Sequence, residues 1–349
     1  MKYSVIVPVF NRPDEVDELL ESLLTQSVKD FEVIVVEDGS TVSCQSVCEK
    51  YSDRLDLKYY YKQNSGPGQS RNYGAERAAG EYLIVLDSDV VLPQDYFKNV
   101  DAELRREPAD AFGGPDKAHD SFTDVQKAIS YSMTSFFTTG GIRGGKKKLD
   151  KFYPRSFNMG IRRDTYMSLG GFSKMRFGED IDFSIRIFKA GYRCRLFPQA
   201  WVWHKRRTDF RKFWRQVYNS GIARINLYKK YPESLKLVHL LPMVFTVGCA
   251  FLGLMFVLGI VLFFLLPAGM QQALGCVISL LALAPLVLYS LMIFVDATRE
   301  NGSAKIGLLS ILSAFIQLTG YGCGFLEAWW RRCVRGQSEF QAYSKTFYK

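Results

Sequence analysis

Two aspartates follow a short apolar run in the first third of the chain. The run Tyr82–Leu86 is continuous and apolar, which is typical of a parallel strand buried on both faces. Because it ends at Asp87 and Asp89, two carboxylates are expected at the sheet edge where ligands of open α/β folds bind. Two adjacent acids there are costly without a cation between them, so the pair predicts a site for a hard divalent ion. The pair alone leaves open the alternative of an Asp-rich turn without a ligand.

A second acidic pair, Glu179 and Asp180, precedes a run whose apolar residues predict a buried helix. On sequence alone, acids at the start of a helix are usually caps for its exposed N–H groups. His204 is one of only three histidines and follows two tryptophans, a setting in which histidine is more often structural than a ligand. The chemical meaning of these residues therefore depends on the elements that position them.

The elements before the first acidic pair alternate between strand and helix. Residues 3–10 and 31–36 have strand patterns, and between them a helix is predicted with Pro13 near its start and apolar residues at helical spacing. Residues 58–61 predict a third strand, and residues 71–79 predict a helix. This alternation indicates βαβ units, an α/β fold with a mainly parallel sheet flanked by helices.

Six segments together resemble the family 2 glycosyltransferases of the GT-A fold, in the order and spacing of that family. They are residues 4–12, 35–40, 71–72, 87–89, 170–172 and 178–180. The resemblance covers about residues 1–205. It implies the GT-A fold, a nucleotide-diphosphate sugar as donor, Mn or Mg as cofactor, and transfer of the sugar with inversion.

The resemblance also implies which residues contact the nucleotide. Phe10 and Asn11 are expected beside the base, with Pro8 shaping the end of their strand. Asp38 is expected to accept hydrogen bonds from the nucleobase or the ribose. Arg71 offers a fork of donors that suits the base or the phosphates.

The metal ligands implied by the resemblance come from both halves of the domain. Asp89 is expected to ligate the ion that holds the two phosphates, and Asp87 to contact the ribose or the metal. His204 matches a position that supplies a metal or phosphate contact in several members of the family. Asn158 is expected to line the sugar pocket.

The second acidic pair occupies the position of the catalytic base in the family. Inversion by direct displacement needs a carboxylate that takes the proton of the acceptor hydroxyl as the new bond forms. The resemblance assigns that role to Asp180 and assigns the orientation of the acceptor or of the base to Glu179.

The composition divides the chain into a charged part and an apolar part. Of its 349 residues, 48% are hydrophobic and 23% are charged, with a net charge of +10. After residue 237, three apolar runs at 238–266, 273–295 and 306–326 each reach the ~20 residues that a spanning helix needs. The seven cysteines show no paired framework, which favours a reduced compartment.

These patterns predict five regions. Residues 1–115 form the nucleotide-sugar-binding half of the GT-A domain, and residues 116–205 form its acceptor-binding, catalytic half. Residues 206–236 form a basic amphipathic helix region that is expected to lie along an anionic membrane surface, since no motif for nucleic acid supports that alternative. Residues 237–330 form a transmembrane region, and residues 331–349 form a basic tail.

Positive charge predicts the orientation in the membrane. The link between the second and third apolar runs carries Arg299 and Lys305, whereas the first link, residues 267–272, has no lysine or arginine. The catalytic domain is therefore predicted to face the cytoplasm in a multi-pass protein of the inner (cytoplasmic) membrane. Three spans place the tail outside, but Arg331 and Arg332 directly after the third run favour the inside, so the topology of that run stays open.

Residues 121–150 combine Phe136 and Phe137 with several glycines and the lysines at 146–148. This composition predicts either a mobile loop or gate beside the acceptor site or a disordered basic insertion.

The predicted function is transfer of a sugar to a hydroxyl of a membrane-borne acceptor, a lipid-linked glycan or glycolipid, in the synthesis of envelope polysaccharide or glycoconjugate. The Gln-x-x-Arg-Trp signature of processive synthases is absent, which favours one sugar per encounter. A polyprenyl-phosphate glycosyltransferase is the first alternative, but its ionised acceptor needs no base, and Glu179 and Asp180 favour a hydroxyl. A non-catalytic scaffold that binds nucleotide sugars is the second, and the intact acidic pairs count against it.

Overall fold

The computed structural model of the protein describes residues 1–117, 122–139, 152–205, 207–265 and 269–343. Parts of four predicted features lie outside the described residues. They are the lysines at 146–148, Arg206 of the basic region, residues 267 and 268 of the first link, and the end of the tail after residue 343.

The chain forms two compact units. In the described residues, the first unit comprises 1–117 and 152–205, and the second comprises 122–139 and 207–343. Up to residue 205 the elements are β1 (Tyr3–Val9), α1 (Pro13–Leu24), β2 (Phe31–Asp38), α2 (Gln45–Glu49), β3 (Leu57–Lys62), α3 (Pro67–Ala75), β4 (Tyr82–Leu86), β5 (Val90–Val91), α4 (Tyr96–Arg106), β6 (Ala111–Gly113), β7 (Asp116–Lys117), α5 (Asp124–Thr134), α6 (Phe136–Thr139), β8 (Asn158–Arg162), α7 (Arg163–Ser168), α8 (Glu179–Lys189), β9 (Cys194–Leu196) and β10 (Val202–His204).

The first unit is built on a seven-stranded sheet with the order β3-β2-β1-β4-β8-β6-β9. Strands β1 to β4 are parallel, with Val5 of β1 opposite Val33 of β2 and Ile84 of β4. Strand β8 is antiparallel to both of its neighbours, β4 and β6. A smaller sheet has the order β5-β10-β7. The predicted α/β fold with a mainly parallel sheet is confirmed.

Alternating side chains of β1 enter two different cores. Val5 and Val7 pack in a core that contains side chains of α1 and α4, whereas Ile6 packs in a core that contains side chains of α3 and α8. Burial on both faces explains why β1, β2 and β4 are continuous apolar runs. The carboxyl ends of these three strands therefore meet at one edge of the sheet.

The second unit contains the apolar helices of the C-terminal third. Its elements after residue 206 are α9 (Phe210–Lys230), α10 (Leu241–Leu265), α11 (Met270–Asn301), α12 (Ala304–Trp329) and α13 (Glu339–Tyr343), with single turns at Pro232–Ser234 and Leu237–His239 and a π-helical turn at Trp330–Val334. By length and composition, three helical segments can cross a membrane: Leu237–Leu265, Gln272–Asn301 and Ala304–Val334. The third differs from the others because 44% of its most apolar window is buried in protein, against 6% and 11%.

Helix α5 corrects the prediction of a mobile loop or a disordered insertion for the described part of residues 121–150. It begins with a capping box in which Thr123 and Gln126 bond each other's backbone N–H groups. One side packs with α9 through Ile129 and Met133. On another side the Tyr131 hydroxyl donates to Oδ2 of Asp296 in α11 at 2.6 Å. These residues fold as part of the second unit because α5 buries apolar side chains against its helices.

Helix α9 confirms the helix predicted in the basic region, and its apolar stripe is buried within the second unit. Phe213 and Val217 pack with α5. Gly221 lies so close to α12 that a Cβ atom there would be 2.1 Å from the carbonyl oxygen of Tyr321. Burial between helices accounts for the amphipathic pattern of α9, and its location at a membrane surface stays a prediction.

We expect Gly221→Ala to lower the stability of the second unit by about 1–3 kcal/mol, because the added methyl group forces α9 and α12 apart. The measurement is the unfolding midpoint of the full-length protein in detergent. Gly248→Ala in α10 is the matched control, since no atom lies within 4 Å of its added Cβ. Equal midpoints for the two variants would show that the close α9–α12 contact contributes nothing.

Candidate active site

The first acidic pair lies where β4 ends and β5 begins. Strand β5 pairs antiparallel with β10, and this register places His204 opposite Val90, the residue after Asp89. As a result, Nε2 of His204 is 3.2 Å from Oδ1 of Asp89. The imidazole also stacks on Phe157, with ring centroids 4.8 Å apart. The smaller sheet therefore brings the histidine to the carboxyl end of β4.

The three residues predicted as metal ligands lie together. One potential ligand atom from each of Asp87, Asp89 and His204 lies within 4.8 Å of the other two. Two carboxylates and an imidazole form a donor set that suits Mn²⁺, and the carboxylates also suit Mg²⁺. Asp89 is only 7% exposed, and a carboxylate in such a position requires cationic partners. The side chains present thus fit a divalent ion.

Arg12 contacts the first acidic pair, a role that the sequence analysis missed. Its Nη1 atom lies 3.0 Å from Oδ2 of Asp89 and 2.8 Å from Oε2 of Glu15. Burial acts to lower the pKa of Arg12, but the charges of Asp89 and Glu15 outweigh it and raise that pKa. The position directly after β1, at the same sheet edge as Asp89, was the available signal.

Arg71 links the two acidic pairs. Its Nη2 atom is 2.7 Å from Oδ1 of Asp87, and its Nη1 atom is 3.3 Å from Oε1 of Glu179. The residue is 3% exposed, and its guanidinium lies over the ring of Phe172. Burial acts to lower the pKa of Arg71, but the charges of Asp87 and Glu179 raise it overall. The guanidinium is directed at carboxylates here, and its contact with a nucleotide stays a prediction.

The second acidic pair opens α8 behind Gly178, whose φ of 85° lies in the left-handed region. Burial raises the pKa of Glu179, and the nearby charge of Asp180 adds to that effect. Asp180 accepts a hydrogen bond from the backbone N–H of Ile181 at 2.8 Å through Oδ1, and Nε of Arg155 lies 2.8 Å from Oδ2. Arg155 is a second arginine that the sequence analysis missed, because no local pattern indicates its partner.

Asn72 explains why the segments 71–72 and 170–172 occur together. Its Nδ2 atom donates to the carbonyl oxygen of Phe172, and its Oδ1 atom accepts from the N–H of Phe172, both at 2.8 Å. Gly171 has a φ of 63°, and a Cβ atom there would lie 2.3 Å from Oδ1 of Asn72. A larger residue therefore cannot occupy this turn without disturbing α3.

The residues predicted to lie near the base are at the same sheet edge, and one of them, Asn11, holds a neighbouring loop. Oδ1 of Asn11 accepts hydrogen bonds from the N–H groups of Thr41 and Val42, and Asn11 itself has a φ of 56°. Phe10 is exposed, and Pro8 lies within β1 opposite Val36. Their contact with a nucleobase stays a prediction.

Asp38 is buried beneath the loop that precedes α3. Its two carboxylate oxygens accept hydrogen bonds from the N–H groups of Ser65 and Gly66, each at 2.8 Å, and Lys62 also donates to it. The carboxylate thus holds the loop in this structure, and its contact with a nucleobase or ribose stays a prediction.

Asn158 lies at the start of β8, opposite Leu86 of β4, the residue before Asp87. It is 1% exposed, and its side chain donates to the carbonyl oxygen of Ala200 and accepts from the hydroxyl of Tyr96. The amide is thus bonded inside the fold in this structure, and its contact with the sugar stays a prediction.

The first half of the chain matches a known protein family. Residues 4–170 match the Glycosyl transferase family 2 domain. Residues 4–170, just under half of the chain, are therefore similar to family 2 glycosyltransferases. The matched segment includes β1, β4 and the first acidic pair.

Curated relatives match part of this chain. A glycosyltransferase of Rickettsia felis, named as uncharacterized, is 33% identical over 140 residues, which cover 39% of this chain and 22% of that protein. The poly(ribitol-phosphate) beta-N-acetylglucosaminyltransferase TarS of Staphylococcus aureus is 37% identical over 114 residues, covering 32% of this chain and 20% of that protein. The chain therefore spans about a fifth of the length of these relatives.

A solved structure resembles this chain along most of its length. The mannosyltransferase PcManGT from Pyrobaculum calidifontis, in complex with GDP-Man and Mn²⁺, is 17% identical with a TM-score of 0.56. The similarity covers 95% of this chain and 88% of that one. Together with the family match it confirms the predicted GT-A fold.

We expect Gly171→Ala to destabilise the first unit more than Gly170→Ala. Both glycines have positive φ, so each substitution adds about 1–2 kcal/mol of backbone strain. Only the methyl group at Gly171 meets Asn72, whereas no atom lies within 4 Å of the one at Gly170. The lower unfolding midpoint is therefore predicted for Gly171→Ala. The reverse order would contradict a structural role for the Asn72 contact.

Proposed function

We propose that this chain is an inverting glycosyltransferase that moves a sugar from a nucleotide-diphosphate donor to a hydroxyl of a membrane-borne acceptor. The observation that carries the proposal is the position of Arg71 at the sheet edge, where it contacts one carboxylate of each acidic pair. One pair suits a metal-bound diphosphate, and the other suits proton removal from an acceptor. The acceptor class is a lipid-linked glycan or glycolipid of envelope polysaccharide or glycoconjugate synthesis.

Donor binding is assigned to the edge formed by the ends of β1, β2 and β4. Asp87, Asp89 and His204 would hold Mn²⁺ or Mg²⁺, which when bound neutralises the diphosphate. The relatives support a nucleotide-sugar donor: PcManGT is in complex with GDP-Man and Mn²⁺, TarS is named an N-acetylglucosaminyltransferase, and a third relative is named a validoxylamine A glucosyltransferase. Because these names differ in the sugar, we assign the donor class and not its sugar.

The catalytic base is assigned to Asp180. A sugar hydroxyl must lose its proton as it attacks, and a carboxylate close to that oxygen accepts it. Ile181 and Arg155 fix the orientation of the Asp180 carboxylate through one contact to each oxygen. Glu179 is held by Arg71 next to Asp180, and we assign it the orientation of the acceptor. Arg155 is therefore a positioning residue in this proposal.

The acceptor is placed in the membrane because of the three apolar helices. Exposed basic side chains of α9, such as Arg211, Lys212 and Arg215, support its placement against anionic lipid headgroups. Arg299 near the end of the second apolar helix and Lys305 at the start of the third support the inner membrane with the first unit in the cytoplasm.

A polyprenyl-phosphate glycosyltransferase remains the second candidate. Its phosphate acceptor is already ionised, so the orientation of Asp180 by two contacts has no function in that reaction. The assay of Asp180 below separates these candidates. A non-catalytic scaffold is separated from both by any turnover of the donor.

We expect Asp89→Ala to remove the metal-dependent part of nucleotide binding. Calorimetry with UDP and with GDP, each with and without Mn²⁺, measures that part directly. Asp95→Ala is the control, since Asp95 is an exposed aspartate before α4. If the gain in nucleotide affinity on adding Mn²⁺ persists in Asp89→Ala, the metal assignment is wrong.

We expect Asp180→Asn to lower kcat by about 10²–10⁴-fold, because the amide keeps the shape of the side chain but cannot take a proton. Donor affinity should change little, since the lost interaction exists only in the transition state. The donor is chosen from a panel of nucleotide sugars by thermal stabilisation with Mn²⁺, and transfer is measured into a lipid extract.

Asp164→Asn serves as the control for that substitution. Asp164 also lies in the first turn of a helix and pairs with an arginine, but it is largely exposed. Near-normal turnover of Asp180→Asn would favour the phosphate acceptor, because such an acceptor requires no base.

A further inference from the structure

A guanidinium contacts the same carboxylate that the proposed divalent ion would use. Nη1 of Arg12 is 3.0 Å from Oδ2 of Asp89, while Oδ1 of the same carboxylate is 3.2 Å from Nε2 of His204. Arg12 and His204 thus contact different oxygens of one buried carboxylate. An ion bound between Asp87, Asp89 and His204 would be a near neighbour of the Arg12 charge.

Arg12 has a second carboxylate partner outside the acidic pairs. The same Nη1 atom lies 2.8 Å from Oε2 of Glu15, which is in the first turn of α1. Glu15 is not among the residues that could hold a metal in the described part of the chain. Arg12 can therefore move away from Asp89 and retain an ion pair with Glu15.

The charges around the first acidic pair oppose the binding of a metal ion that arrives without an anionic ligand. Arg12 and Arg71 each contact one carboxylate of the first acidic pair, so part of its negative charge is already balanced. A dication that enters this site is repelled by both guanidinium groups, and the repulsion is large because the surroundings are partly buried. A ligand that brings negative charge together with the metal relieves that repulsion.

We infer that Arg12 competes with the divalent ion for Asp89 and couples metal binding to the arrival of an anionic diphosphate. This inference rests on the proposed donor and metal assignment. Arg12 contacts Asp89 in this structure. When the ion and a nucleoside diphosphate bind together, the guanidinium leaves Asp89 and turns toward the diphosphate, with Glu15 as the fixed partner. Arg12 is thus a positioning residue for the donor complex.

The test is a titration of the purified protein in detergent with Mn²⁺ alone. Binding of Mn²⁺ is measured by calorimetry and by the EPR signal of the free ion. Arg12→Gln is expected to bind Mn²⁺ about 10-fold more tightly than the unchanged protein, because a like charge next to the site is removed. Glu15→Gln is expected to shift the affinity the other way, because Arg12 then has Asp89 as its main partner. Arg12→Lys keeps the charge and should bind Mn²⁺ as weakly as the unchanged protein.

A second titration adds saturating UDP or GDP. The diphosphate should strengthen Mn²⁺ binding more in the unchanged protein than in Arg12→Gln. That variant lacks the guanidinium that couples binding of the metal to binding of the diphosphate. Arg162→Gln is the control, since Arg162 is a half-exposed arginine paired with Asp164. It should leave both titrations unchanged.

The outcomes separate this inference from the proposed function. Equal Mn²⁺ affinity in the unchanged protein, Arg12→Gln and Glu15→Gln overturns the competition but leaves the metal site in place. No Mn²⁺ binding in any variant, with or without a diphosphate, overturns the metal assignment itself. Opposite shifts for Arg12→Gln and Glu15→Gln support the inference, because general destabilisation would weaken binding in both.

Discussion

The buried guanidinium of Arg71 is the interaction on which the candidate active site depends. A charge that is 3% exposed is tolerable only with carboxylates beside it, and Asp87 and Glu179 supply them from the end of β4 and the start of α8. Removing either acid leaves the buried guanidinium with only one of these two carboxylate partners. The distance between the two acidic pairs is therefore fixed by electrostatics as well as by the sheet. This one side chain thus sets the spacing between the metal-binding carboxylates and the proposed base.

Asn72, the next residue in α3, also joins distant segments of the chain, but through hydrogen bonds between uncharged groups. It holds the turn at Gly171 and Phe172 against α3, and the ring of Phe172 covers the guanidinium of Arg71. Two consecutive residues of α3 therefore contact two later segments that are about 100 positions away. This arrangement gives a physical reason for the joint occurrence of the short motifs in the sequence.

The parts of the site that could be predicted were those with a local pattern. Asp87 and Asp89 follow an apolar run, so both the strand and the sheet edge were evident from sequence. Arg155 could not be predicted, because its partner is set by tertiary structure, and for Arg12 the position at the sheet edge was evident but its carboxylate partner was not. The sequence also does not reveal that the amide of Asn158 is bonded on both sides. For α5 the signal was present as Thr123 and Gln126 of a capping box, but the basic and glycine-rich residues after it favoured a loop.

The position of α5 in the chain has a consequence for biosynthesis. Its apolar face packs on α9 and α12, yet α12 leaves the ribosome about 170 residues later. Strand β8, which lies in the interior of the main sheet, is also made only after α5. The nascent chain must therefore complete its first unit while the side chains of Ile129 and Met133 still lack their partners. A chaperone or the lipid surface can cover them in that interval, and any shortened chain that ends before α9 leaves this apolar face without its protein partners.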